Sequence, residues 1–82
     1  MIVKYSPDFA AAFKKIPKSS QDRFRVIDRK VASGDFSMFD KMGWAYFVDI
    51  DDTHSAMGSY RKNDDVFYWM VLGSPETMPV IL

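Results

Sequence analysis

The run VFYWMVL, residues 66–72, constrains the fold more than any other feature of the chain. Read with a period of two, Val66, Tyr68, Met70 and Leu72 make one set and Phe67, Trp69 and Val71 the other. Both sets are apolar, so a strand here must be covered on both faces, which makes it a central strand. The run is far too short to span a bilayer, and Gly73 closes it. Eighty-two residues can close only one core, so residues 1–82 are read as a single domain. Apolar residues at 48% and aromatics at 16% suffice for that core and argue against disorder over most of the length.

Neighbours for this strand lie on both sides. From Trp44 the period is again two, with Trp44, Tyr46, Val48 and Ile50 on one side and Ala45, Phe47, Asp49 and Asp51 on the other. Asp51-Asp52-Thr53 reads as a turn, HSAMGSYR (54–61) as a weaker strand, and Asn63-Asp64 as the next turn. At the other end, Ile2 to Tyr5 is a short first strand. Ser6-Pro7-Asp8 then starts a helix, with Ser6 as N-cap and Pro7 in the first position. Phe9, Phe13 and Ile16 form its apolar stripe, and Pro17 stops it. A second helix, capped by Ser19 or Ser20, repeats the stripe with Phe24, Ile27 and Val31 and ends at Gly34. Phe36, Phe39 and Met42, three apart, leave a short helical turn and an irregular loop equally open. The expected architecture is α+β: a strand, an antiparallel helix hairpin, then a three-stranded antiparallel meander, with the helices on one sheet face. The tail MPVIL either finishes the core or meets a partner.

Charge is balanced in total and divided along the chain. Residues 1–30 carry eight basic side chains against three acids, a net of +5; residues 31–82 carry three against eight, a net of −5. The two halves present opposite fields. With no cysteine, disulfides, zinc–thiolate sites and thiol nucleophiles are excluded. The first residues lack a basic segment followed by an apolar one, so a cytoplasmic protein with no membrane association is expected. No Gly-rich phosphate loop, serine triad or metal-ligand spacing occurs, and no cofactor or metal is expected.

The opening strand, the run YSPDFAAAFKKIPKSSQDRF, and the closing segments FVDIDD and VFYWMVLG give the chain its resemblance to the RelE/ParE toxins of bacterial toxin–antitoxin modules. The part that carries it best is residues 4–31: Tyr5, Phe9 and Phe13, Lys14-Lys15, Ile16-Pro17, then Ile27 and Val31. The resemblance implies a compact toxin, phage- or plasmid-borne, with a cognate antitoxin or another host protein as partner. Nuclease members of that family cut messenger RNA on the ribosome; ParE-type members poison DNA gyrase. Attack by a ribose hydroxyl builds negative charge on the phosphate, so cations must point at it. At the positions where the family carries cations, this chain has Asp49, Ala56-Met57 and Ser74-Pro75-Glu76.

The candidate residues follow from chemistry and from that resemblance together. His54, the single histidine, and Arg61 are the candidates for proton transfer and phosphate contact. Lys14, Lys15, Lys18 and Arg25 are the candidates for a nucleic-acid backbone, as on ribosomal or messenger RNA. Asp49, Asp51 and Met57 are the candidates for an acidic and apolar partner-binding sheet surface. Two readings therefore stand side by side: a ribosome-dependent ribonuclease, and a non-catalytic binder of the same fold that inhibits a host protein.

Overall fold

The computed structural model describes residues 1–75 of the chain. The elements are β1 (Ile2–Tyr5), α1 (Pro7–Phe13), α2 (Lys18–Ala32), β2 (Asp40–Met42), β3 (Ala45–Asp49), β4 (Ser55–Arg61) and β5 (Val66–Gly73). They form one five-stranded sheet in the order β1-β5-β4-β3-β2. β1 runs parallel to β5, and the other three pairings are antiparallel. The apolar run 66–72 therefore lies inside the sheet, as its two-sided apolarity requires.

Both helices start and stop where local chemistry directs. The Ser6 hydroxyl accepts from Phe9 N–H at 3.0 Å, capping α1, and donates to the Met70 carbonyl at 2.8 Å, which ties the cap to β5. α2 ends in a Schellman motif: Gly34, at φ +87°, donates to the Val31 carbonyl, and Asp35 donates to the Lys30 carbonyl. The start of α2 corrects the expectation of a serine cap. Pro17 occupies the cap position, and Ser20 lies inside the first turn, buried, with its hydroxyl turned to the loop after β3. α1 stops at Phe13, so Ile16 packs on the core from the connecting turn.

The helices cover one sheet face. Phe9 and Phe24 meet Trp69 at ring-centroid distances of 5.7 and 4.9 Å, and Val31, Val48, Ala56 and Phe67 complete the cluster. Full burial of such rings makes truncation costly, about 3–5 kcal/mol for a core Phe or Trp. The segment 35–43 is a finding of its own: Phe36 and Phe39 turn onto Phe67, at 5.5 and 5.4 Å, and the chain then adds β2 to the sheet edge. The meander is thus four-stranded, and Met42, expected on the core side, is exposed on the far face.

The opposite face holds a second, smaller apolar cluster, Ala45 and Met57 with Phe47, Met70 and Val71 beside them. A register shift at Met57/Gly58 puts Met57 opposite Val71 and Gly58 opposite Trp69, which sends Met70 and Val71 to the same face. At Gly58 a Cβ would stand 2.5 Å from the Phe67 ring and 2.9 Å from the Tyr68 carbonyl oxygen, so only glycine fits. The tail MPVIL and Glu76 lie outside the described residues.

Candidate functional site

His54 sits at the end of the β3–β4 loop in a hydrogen-bonded knot. Its Nδ1 lies 3.0 Å from Asp51 Oδ1 and 2.9 Å from Thr53 Oγ1, and its backbone N–H donates to Asp51 Oδ1 at 2.8 Å. The Ser20 hydroxyl reaches across from α2 and donates to Asp51 Oδ2 at 2.5 Å. That bond, with those from Thr53 and His54, holds the Asp51 carboxyl well below the usual carboxylate range against the opposing pull of burial. Asp51 is then an acceptor only, which assigns the proton to His54 Nδ1 and leaves Nε2 as the basic ring atom.

Serine, histidine and aspartate meet here without making a nucleophilic triad. A triad needs the imidazole between the carboxylate and the hydroxyl, one nitrogen for each. Here Ser20 gives its proton to Asp51 directly, and lies 3.4 Å from the same Nδ1 that faces the carboxylate. The knot joins the loop to α2. Its sequence trace is a polar residue, Ser20, on the buried stripe with Phe24 and Val31.

Arg61 is at the other end of β4, exposed, 3.9 Å from Asp64. Six residue steps of about 3.3 Å separate the ends of β4, so His54 and Arg61 are about 20 Å apart along the strand. The structure does not bring them together. Of the partner candidates, Asp49 is exposed on the far face and accepts from the Ser55 hydroxyl at 2.6 Å. Asp51 is engaged in the knot. Met57 is 1% exposed, so the expectation that it presents a surface to a partner is corrected: the bulge places it in the far-face cluster.

The basic candidates gather where α1 hands over to α2. Lys18 and Arg25 share Asp22 Oδ1, at 3.5 and 3.0 Å, and the Arg25 guanidinium lies 5.4 Å from the Phe13 ring centroid. Lys14 and Arg25 border a cleft between the two helices, floored by Phe9, Phe13 and Phe24, with Tyr5 and Asp28 at its end. Asp28, which the sequence reading passed over, accepts from the Trp69 indole N–H at 2.9 Å and from the Tyr5 hydroxyl. Burial, with that bond and the charge of Asp28, pushes the Tyr5 hydroxyl's pKa up. Among the described residues no group of three or more His, Cys, Asp or Glu could hold a metal ion. No helix among them is long and apolar enough to cross a membrane.

No family model and no curated protein sequence matches the chain. Solved structures do. RelE in the archaeal RelE–RelB complex from Pyrococcus horikoshii OT3 superposes with a TM-score of 0.70 at 17% identity, over 89% of this chain and 92% of that one. The isolated E. coli RelE toxin superposes with a TM-score of 0.71 at 10% identity, over 99% of this chain and 98% of that one. The chain has the RelE toxin fold. The RelE-like arrangement of two helices on one face of the sheet is thus kept although few residues are shared, which places the information for the fold in the order of apolar residues rather than in signature side chains.

Proposed function

We propose that the chain is the toxin member of a toxin–antitoxin pair, a protein that arrests a host process such as translation until a partner protein binds it. What supports this best is the extent of the likeness: RelE toxins, one of them in complex with RelB, coincide with this chain over nearly the full length of both. A short chain with one fold and no further domain's worth of residues can act only through its own surface.

Messenger RNA cleavage is the activity that the resemblance implies. In such a reaction the ribose 2′ oxygen attacks phosphorus, the bond from phosphorus to the 5′ oxygen breaks, and that oxygen takes up a proton. The step needs a base and a cation within reach of one phosphate. His54 offers Nε2 as a base, but Arg61 stands about 20 Å away along the strand, and Asp49 is negative on the far face. That separation favours the second reading, inhibition by binding with no bond cut. Induced expression with mapping of messenger RNA 5′ ends separates them: new ends at arrest mean cleavage, and arrest with an unchanged end profile means binding.

A further inference from the structure

We propose that the cleft between α1 and α2 is a docking groove for an acidic amphipathic segment of a partner protein, apolar side chains inward and carboxylates toward Lys14 and Arg25. The inference stands apart from the toxin reading, since it concerns a surface that any partner of this chain can use.

The cleft has a volume of about 320 Å³, at the small end of the range for ligand sites. That is room for one or two inserted side chains, too little for a cofactor. Its floor is made of ring edges: Phe9 and Phe24 are 1% and 3% exposed, and Phe13 is half-buried. The polar groups at its end are already satisfied, because Asp28 accepts from both Tyr5 and Trp69. Such a floor rewards apolar contact and asks for no donor or acceptor.

The rim fixes the sign of the occupant. Lys14 and Arg25 border the cleft, Lys18 lies beside Arg25, and Asp22 is the carboxylate these two share. Three cations against one acid leave a positive rim, and complementary charge steers and orients an acidic segment. An RNA strand would need the same cations, but it binds non-specifically by stacking bases on exposed ring faces. Here the buried rings show edges, and the Phe13 ring already carries the Arg25 guanidinium. The geometry therefore favours a protein segment with apolar residues one helical turn apart and Asp or Glu flanking them.

The test is selection of a random 12-residue peptide library on the wild-type protein with counter-selection on Ala10→Trp. Ala10 is exposed and lines the cleft, so the indole fills it without removing a core side chain. The expected result is enrichment of peptides pairing Leu, Ile or Phe with Asp or Glu. A synthetic copy of the most enriched peptide should bind wild type at least about tenfold more tightly than either Ala10→Trp or the double variant Lys14→Glu, Arg25→Glu, a difference of about 1.4 kcal/mol. Ala10→Glu, which adds charge with little bulk, should weaken binding as well and covers the case in which the indole disturbs folding. No enrichment, enrichment without acids, or binding indifferent to both Ala10 variants overturns the proposal. So does self-association that Ala10→Trp abolishes, which would give the groove to a second copy, or an Ala10→Trp-sensitive affinity for polyuridylate greater than that for the peptide.

Discussion

The indole nitrogen of Trp69, at the centre of the sheet, donates to Asp28 on α2 at 2.9 Å. Trp69 is fully buried, so its N–H has no water to turn to, and Asp28 also takes the Tyr5 hydroxyl from β1. One carboxylate thus joins α2 to two strands. Asp28→Leu, which removes the acceptor and keeps the volume, should cost about 1–3 kcal/mol for the stranded indole N–H. Asp28→Asn, which keeps an acceptor oxygen, should cost less. Urea denaturation followed by Trp fluorescence checks both, and equal losses for the two variants would contradict the role of the bond.

Asp51 ties the β3–β4 loop to α2 through Ser20, and its carboxyl is held well below the ordinary range. A depressed native pKa gives stability that is present above the unfolded value, about 3.9, and is lost as pH falls toward the native value. Wild type should therefore exceed Asp51→Asn in thermal midpoint by a margin that is constant above about pH 5 and narrows in stronger acid. Melting curves from pH 6 to pH 2 measure it; a margin that does not change through that range would mean that Asp51 titrates normally.

Gly58 lies so close to Phe67 that an added methyl has no room. Gly58→Ala should destabilise by about 1–3 kcal/mol, as overpacking does. Phe67→Leu in the same chain should cost less than the sum of the two single changes, because it makes room for the methyl. Additive losses in a double-mutant cycle would place the strain elsewhere.

His54 and Arg61 occupy opposite ends of β4, and only His54 is built into a knot. Arg61→Ala should change stability by no more than about 0.5 kcal/mol, and His54→Ala by about 1 kcal/mol or more. Effects of the two on growth arrest should add, as for sites more than about 10 Å apart. A strongly non-additive pair would mean that the two side chains act on one substrate atom after all.

Much of this fold can be read in the sequence, and the reason is burial. Val66 to Leu72 is apolar at every position because β5 is flanked by β1 and β4 and has apolar clusters on both faces, so its central place follows from its own residues. Gly34 and Ser6 announce their helix ends through backbone chemistry that needs no tertiary context. The short strand Asp40–Met42 cannot be read this way: it has three exposed residues, and its existence depends on β3 offering an edge. The site is harder still. Ser20 resembles a helix cap until the distant Asp51 is placed beside it, and Asp28 looks like one more exposed helix acid until Trp69 and Tyr5 arrive from β5 and β1. Met57 looks like a free apolar contact because a one-residue shift of register cannot be seen in the chain.

The most direct test of the toxin reading is growth after induction of this chain alone in a bacterial host, with its accumulation as folded protein followed in parallel. Arrest of growth that is lifted by co-expressing the product of the adjacent reading frame is the predicted result. Undiminished growth while the folded protein accumulates would contradict it.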